Sequence, residues 1–259
     1  MISVGIDMGA KNVKVVVLKD GQIVSRGIAL SGIDQKASAQ QVFNEALQKA
    51  GVSLSDIKYV TATGTGRDLA PNANSNISMM GADALGGTHL FPTARTVIDV
   101  GAEEGRAVRC DEKGKMIDFV INERCAAGAG TFIEAMARAL EVKVEEMGPL
   151  SLKAEKAVPM NAQCTIFAES EVVSLIHAKT PRADISRAIH DAIADRIASM
   201  TRRLGVQRDV VLVGGVAKNI GFIDALKRIL GVDILVPPDP EFVGALGAAL
   251  VPIRGIGGT

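Results

Sequence analysis

The chain has 259 residues, 47% of them hydrophobic, with 29 acidic side chains balancing 29 basic ones. This length and composition suit a globular protein with a sizeable core and exclude a disordered chain. Zero net charge, seven Phe, one Tyr and no Trp leave neither the basic footprint nor the stacking platform of a nucleic-acid binder. No nucleic-acid partner is therefore expected. No stretch reaches the roughly 18 apolar residues of a membrane helix, so no membrane partner is expected either. The first ten residues reach Asp7 without a basic segment, unlike a secretory signal. Three cysteines in such a chain fit a reducing, cytoplasmic setting better than a disulfide framework.

The apolar run Ile2 to Ile6 leads into Asp7-Met8-Gly9-Ala10-Lys11-Asn12, a second segment from Val13 to Leu18, an Asp20-Gly21 turn and a third segment from Ile23 to Ile28. That is a strand, a loop, a strand, a turn and a strand. Helical spacing covers Ala37 to Ala50 and Met79 to Leu90, with a strand from Ile57 to Thr63 between them. The opening plan then returns. Ile6-Asp7-Met8-Gly9-Ala10 is echoed by Ile98-Asp99-Val100-Gly101-Ala102, 92 positions on. The echo is framed by Thr96 to Ile98, Arg106 to Arg109, Lys113-Gly114 and Met116 to Ile121. A repeated unit of this size predicts duplicated lobes.

Further helices are predicted at Ala127 to Leu140, Ala168 to His177 and Ile185 to Leu204. A strand follows from Asp209 to Val213, then a helix from Ala217 to Leu230 and a short strand from Asp233 to Val236. Pro237-Pro238-Asp239-Pro240 leads into a last helix from Phe242 to Leu250. The alternation of strands and helices makes the class α/β. The boundary between lobes is placed near Phe91 to Thr96. The first lobe is 1–93, completed by the C-terminal segment 241–259, and the second is 94–240.

Neither the P-loop nor the dinucleotide-binding glycine fingerprint is present. Three other glycine turns stand where strands end. At Asp7 a strand ends in a carboxylate suited to hydrated Mg²⁺, and Gly9, Ala10, Lys11 and Asn12 offer backbone N–H groups to phosphate. Asp99, Gly101, Ala102 and Glu103 offer the same from the second repeat, so two loops are expected to clamp one Mg·ATP between lobes. In Val213-Gly214-Gly215-Val216-Ala217-Lys218-Asn219 a strand runs into Gly-Gly at a helix start, where a ligand can approach the backbone closely.

These residues carry a resemblance. Val4 to Lys14 resembles the first phosphate motif of the sugar kinase/Hsp70/actin superfamily, Val97 to Ala102 its second, and Val211 to Asn219 its adenosine motif. More specifically, Asn122 to Phe132, Gln163 to Val172 and Gly244 to Ala249 resemble the ATP-dependent activators of 2-hydroxyacyl-CoA dehydratases. The same family includes the ATP-hydrolysing subunits of benzoyl-CoA reductase. The resemblance spans nearly the whole chain. It implies a duplicated, two-lobed actin/hexokinase/Hsp70-like (ribonuclease H-like) ATPase fold, ATP/ADP and Mg²⁺ as ligands, and Glu241 and Lys218 among the nucleotide-binding residues.

Two departures stand out. The activators typically have Ser-Thr where this chain has Ala10-Lys11, and Gly-Gln where it has Ala102-Glu103. The loss of the hydroxyls removes two phosphate or metal contacts, in place of which Lys11 or Lys14 is expected to supply positive charge, and Glu103 is expected to orient water or act as a base. The second-loop pattern, Gly101 to Arg109, looks more like that of the benzoyl-CoA reductase ATPases.

Cys125 and Cys164 each precede a predicted helix, so one chain offers two of the four thiolates that a [4Fe–4S] cluster needs. The resemblance implies a cluster shared between two subunits, either homologous ATPase chains or two copies of this one, with two cysteines from each. Cys110 lies in no motif and is read as structural. His89, His177 and His190 lack metal-ligand spacing.

The expected activity is therefore ATP-driven transfer of a low-potential electron. Ferredoxin or flavodoxin is the expected donor, and an acyl-CoA-binding Fe–S subunit the acceptor. An ATP-hydrolysing subunit of benzoyl-CoA reductase is the first reading, with a homodimeric dehydratase activator second. The alternatives of other classes are a small-molecule kinase of the same fold and a catalytically dead scaffold.

Overall fold

A computed structural model describes residues 1–122, 130–160 and 164–255. Strands β1 (Ile2–Met8), β2 (Asn12–Lys19), β3 (Gln22–Leu30), β4 (Ile57–Thr63) and β5 (Ser75–Asn76) form a sheet in the order β3-β2-β1-β4-β5. The first three strands are antiparallel neighbours, and β4 joins β1 in parallel. A second sheet has the order β10-β9-β6-β7-β8, built from β6 (Thr96–Val100), β7 (Gly105–Cys110), β8 (Met116–Asn122), β9 (Val210–Val213) and β10 (Ile234–Leu235). The two orders follow one plan, which is the structural form of the echoed sequence.

The helices are α1 (Gln35–Ala50), α2 (Met79–Leu90), α3 (Gly130–Ala139), α4 (Val144–Ser151), α5 (Thr165–His177), α6 (Arg182–Leu204), α7 (Ile220–Leu230) and α8 (Val243–Arg254). The chain divides into two compact units. Unit 1 comprises Met1–Val97, Val108–Ile117 and Pro237–Thr259, and unit 2 comprises Ile98–Ala107 and Asp118–Val236.

In unit 1 the continuous apolar run of β2 is explained by burial on both faces of the sheet. Val13, Val15 and Val17 join Val42, Phe43 and Ala46 of α1 in one cluster, while Val16 and Leu18 join Ala245, Leu246 and Ala249 of α8 in another. The period of two along the strand assigns alternate residues to the two clusters. In unit 2, Ile185, Ile189, Ile193 and Ile197 form one stripe of α6, with the four-residue spacing of a helix that buries one side. They share a core with Phe132 and Met136 of α3 and Phe222 and Leu226 of α7.

Two predicted boundaries move and one further helix forms, each for a local reason. Helix α1 begins two residues early because the Asp34 side chain accepts from the Ala37 N–H at 2.9 Å, a helix N-cap. The helix expected from Ala217 breaks into a 3₁₀ turn, Gly215–Lys218, and α7. Asn219 adopts an extended backbone there and accepts from Gly221 and Phe222, starting the helix anew. Helix α4 was not foreseen, because only Glu145-Glu146 marks it and Pro149 sits inside it. The Glu146 carboxylate accepts from the Lys143 N–H at 2.9 Å, capping the first turn. The predicted start of α3, Ala127 to Ala129, lies outside the described residues.

Glycines set how closely α2, α8 and β1 pack. A Cβ on Gly247 of α8 would lie 1.8 Å from the Ala82 carbonyl oxygen of α2, and one on Gly5 of β1 would lie 1.9 Å from the Ala245 carbonyl oxygen. Backbone atoms cannot yield as a side-chain tip can. Gly247→Ala is therefore expected to destabilise the protein by about 1–3 kcal/mol or more. That is a fall in Tm of roughly 2–4 °C per kcal/mol for a chain of this size. Gly244→Ala in the same helix meets nothing closer than 3.5 Å and is expected to melt with wild type. Differential scanning calorimetry of the two variants checks both outcomes.

Candidate functional site: twin aspartate turns

In unit 1 the site begins where β1 ends. Asp7 stands opposite Lys14 in the antiparallel register, and Lys14 Nζ donates to Asp7 Oδ2 at 2.9 Å. The turn between them is closed by the Gly9 N–H donating to the Asn12 carbonyl at 3.1 Å. Ser31 ties the turn to β3: its hydroxyl donates to Gly9 O at 2.7 Å and its N–H to Lys11 O at 2.9 Å. A Cβ on Gly9 would meet Asn12 O at 2.8 Å and Lys14 Nζ at 3.0 Å, so the turn requires glycine. Its exposed tip is Ala10-Lys11.

Unit 2 repeats this construction. The Gly101 N–H donates to the Glu104 carbonyl at 2.9 Å, with the same three-residue spacing as Gly9 to Asn12. Arg106, seven positions after Asp99 as Lys14 is after Asp7, donates to Asp99 Oδ2 and to Glu104. The carbonyls of Gly101 and Ala102 accept from the Gly130 and Thr131 N–H groups, both at 2.9 Å, which seats the start of α3 on the turn. Glu103 is exposed at the tip, whereas Glu104 is half-buried against Arg106.

This corrects one expectation about the backbone. The N–H groups of Gly9 and Gly101 close their own turns, so these two amides are not the ones presented to a phosphate. The two glycines shape the turn, and the following residues, Ala10 and Lys11 or Ala102 and Glu103, form its outer surface.

The glycine pair after β9 divides into two roles. Gly214 has φ +86°, and a Cβ there would lie 2.0 Å from Asp99 Oδ1. It is glycine because the Asp99 carboxylate fills its side-chain space. Gly215 is exposed, with no atom within 4 Å of its Cβ position, which leaves room for a ligand against the backbone. Lys218, which is exposed, ends the 3₁₀ turn.

Asp99 Oδ1 is buried and has no hydrogen-bond partner among the described residues. A buried carboxylate oxygen left over in this way suits a water of a hydrated cation.

Two acidic residues complete the picture in unit 1. Glu241 is half-buried in the 3₁₀ turn Pro240–Phe242 that precedes α8. Asp83 is buried on α2, and its Oδ1 lies 3.5 Å from the Cβ position of Gly244. Sequence reading passed over Asp83 and gave neither Glu104 nor Arg106 a role in the site. The shared offset of seven from each Asp to its cation was the signal for Arg106, whereas nothing local marks Asp83.

The cysteines separate clearly. Cys110 on β7 is buried, and burial pushes its thiol up to about 11, so it remains a protonated, unreactive packing residue. Cys164 is half-exposed at the N-cap of α5. The first turn of that helix exposes Ile166 and Phe167, at 72% and 69%. Cys125 lies outside the described residues. Among the described residues no three His, Cys, Asp or Glu side chains gather as a metal site. Burial pushes His190 down, and its Nδ1 lies 2.7 Å from the Ser186 carbonyl, which fits a neutral core histidine. No described helix is long and apolar enough to cross a membrane.

Among known proteins, the chain is 41% identical to the activator of lactoyl-CoA dehydratase of Anaerotignum propionicum over 251 residues, 96% of each chain. It is 34% identical to one of the benzoyl-CoA reductase subunits of Thauera aromatica over 260 residues, 96% of this chain and 92% of that one. The crystal structure of component A of the Acidaminococcus fermentans (R)-2-hydroxyglutaryl-CoA dehydratase superposes with a TM-score of 0.94 at 36% identity, covering 98% of this chain and 99% of that one. The activator of the 2-hydroxyisocaproyl-CoA dehydratase from Clostridium difficile, solved with bound ADPNP, gives 0.90 at 39% identity, covering 96% and 93%. The fold is that of the actin/hexokinase/Hsp70-like ATPases, with two α/β sheets of one plan. From residue 4 to residue 251 the sequence matches one family model, and the chain belongs to the BadF/BadG/BcrA/BcrD ATPase family.

Proposed function

We propose that this chain is the ATP-hydrolysing activator of a 2-hydroxyacyl-CoA dehydratase, engaging Mg·ATP through both aspartate turns. The observation that carries the nucleotide reading is the repeated turn, in which a strand-end Asp is ion-paired to the cation seven residues on. Lys14 and Arg106 neutralise Asp7 and Asp99. A triphosphate offers both cations new partners, and its hydrated Mg²⁺ offers the carboxylates theirs, so the exchange conserves charge at each turn. The open space over Gly215 favours the adenosine part, and Lys218 and Glu241 are read as further nucleotide-binding residues. Glu103, exposed at the second tip, orients the attacking water.

The same pairing replaces the first reading of the second loop. Gly101 to Arg109 suggested a benzoyl-CoA reductase ATPase, but Arg106 performs inside the turn the task of Lys14 in the first turn. It is thus an ATPase feature and carries no information about the electron acceptor. Greater identity to a dehydratase activator than to the reductase chain, 41% against 34%, favours the activator.

Cys164 and Cys125 would hold half of a [4Fe–4S] cluster, with a second copy of the chain supplying the rest. The donor set fits only in that form, because Cys110 is buried and protonated and one chain then offers two thiolates of four. The cluster supplies one-electron transfer at low potential. The exposed Ile166 and Phe167 beside Cys164 suit burial against a second copy. An electron from reduced ferredoxin or flavodoxin passes to the dehydratase subunits, whose Fe–S centre carries the acyl-CoA chemistry. For a one-electron step, about 1.4 kcal/mol moves a potential by about 59 mV, so a few kcal/mol from hydrolysis suffices.

Reconstitution tests the acceptor. Anaerobic protein with ATP and reduced ferredoxin is expected to activate 2-hydroxyacyl-CoA dehydratase subunits and not benzoyl-CoA reductase subunits. The opposite pairing refutes the reading. Asp7→Asn and Asp99→Asn are each expected to abolish ATP turnover in a phosphate-release assay with circular dichroism unchanged. Glu103→Ala is expected to slow turnover with ADP affinity kept, and Glu103→Gln to be milder. Anaerobically prepared protein is expected to hold about four irons per two chains. Cys125→Ala or Cys164→Ala should empty the cluster, and Cys110→Ala should leave the iron content unchanged.

A further inference from the structure

Asp7 is flanked in its sheet by two residues in direct register, Lys14 on β2 and Thr63 on β4. Lys14 meets the carboxylate at 2.9 Å. Thr63 is 1% exposed, and its hydroxyl oxygen is buried without a hydrogen-bond partner among the described residues. Residues two apart along a strand share a face, so Ser3, Gly5 and Asp7 of β1 lie on one face with Thr61 and Thr63 of β4. Ser3 and Thr61 are satisfied there. The Ser3 hydroxyl donates to the Ala249 carbonyl at 2.8 Å, and the Thr61 and Ser75 hydroxyls lie 2.8 Å apart. A buried hydroxyl left without a partner costs stability, so Thr63 calls for a reason.

The fold itself does not ask for this hydroxyl. Strand β4 stands beside β1 as β9 stands beside β6, and each is followed by a glycine of positive φ, Gly64 at +94° and Gly214 at +86°. A Cβ on either glycine would lie 2.5 Å from the carbonyl oxygen of the residue after the aspartate, Met8 or Val100. The equivalent of Thr63 is therefore Val213, which is just as buried. One repeat fills the position with a valine, and the other places a hydroxyl there beside Asp7.

We propose that Thr63 is the reserve partner of Asp7, a positioning residue whose hydroxyl donates to the carboxylate when Lys14 turns to a phosphate. The inference rests on the Mg·ATP reading above, in which the first turn exchanges its ion pair for contacts with the ligand. Once Lys14 turns away, one carboxylate oxygen faces the water shell of the metal and the other takes a donor from the protein. Neighbouring strands lie about 4.8 Å apart, a gap that short polar side chains in register can bridge. A threonine hydroxyl has one donor that rotates to suit its acceptor, and a step between staggered rotamers re-aims it. Asp7 thus stays fixed while its partner on β2 changes. Unit 2 manages with a valine because Arg106 serves Asp99 and Glu104 through separate nitrogens. With five donors in its fork, Arg106 can keep Asp99 while another nitrogen meets a phosphate.

Thr63→Val keeps the shape of the side chain and removes the hydroxyl. Two quantities are measured on the intact, anaerobically prepared protein: Tm without nucleotide, by scanning calorimetry, and affinity for a non-hydrolysable ATP analogue with Mg²⁺, by calorimetric titration. Thr63→Val is expected to melt at or above wild type, because no hydrogen bond is lost. It is expected to bind the Mg²⁺–analogue complex about tenfold more weakly (about 1.4 kcal/mol). Thr63→Ser keeps the hydroxyl and is expected to bind within about twofold of wild type, well short of that tenfold step. Unchanged affinity in Thr63→Val overturns the proposal. So does weaker binding that comes with a lower Tm, or that Thr63→Ser shares equally, since either result assigns the position to packing. A Thr63→Val protein that fails to fold overturns it as well, because Val213 would then be no guide to this position. Wild type that binds no Mg²⁺–nucleotide refutes the nucleotide reading itself, an outcome separate from the others.

Discussion

The ion pair across each hairpin, Asp7 with Lys14 and Asp99 with Arg106, is the constraint on which the rest of the site depends. A carboxylate at the end of a buried strand is held only if its charge is met. The antiparallel register meets it without a long-range contact, because the residue opposite Asp7 in β2 is Lys14. The strand end can then be both buried and charged. Every other feature of the turns follows from holding that pair still. Gly9 is glycine because Lys14 Nζ and Asn12 O occupy its side-chain space, and Gly214 is glycine because Asp99 does.

The pairs also give the turns something to release. Each has one carboxylate and one cation, paired with each other and both largely buried. A ligand carrying complementary charges of its own can take each partner without leaving a bare buried charge. That makes partner exchange cheaper than inserting a triphosphate among unpaired lysines, where the charges would have to be desolvated separately. Asp99 is poised further than Asp7, since its second oxygen lacks a hydrogen-bond partner among the described residues.

Much of the fold was legible in the sequence, because the repeat Ile6 to Ala10 and Ile98 to Ala102 is short, local and framed by strands on both sides. The two sheets repeat one strand order as the echo foretold. Features made by contact between distant segments were not legible. Asp83 and Gly244, 161 positions apart, approach each other through a helix crossing that no local pattern announces. Arg106 was visible but misassigned, since it was read as part of the family pattern Gly101 to Arg109 until the structure showed its partner Asp99. Asn219 was read as part of a continuous helix, and its cap geometry became evident only with the 3₁₀ turn in front of it.

The alanines at the turn tips, Ala10 and Ala102, bear on the idea of a catalytically dead scaffold. In the activators that this sequence resembles, other residues stand at such positions, among them hydroxyl and amide side chains. Their loss would matter most if the turns relied on side chains for polar contact. Here the turns are closed by backbone bonds, Gly9 to Asn12 and Gly101 to Glu104, and their charge resides in the ion pairs behind the tip. Small tip residues leave that framework intact and clear the way to the backbone. A chain that had abandoned nucleotide chemistry would have no physical need to keep two buried ion pairs and a Gly214 held at φ +86°. Ion pairs of this kind are often no better than neutral for stability compared with apolar packing. Their occurrence twice, at equivalent positions of a duplicated plan, argues for a working site.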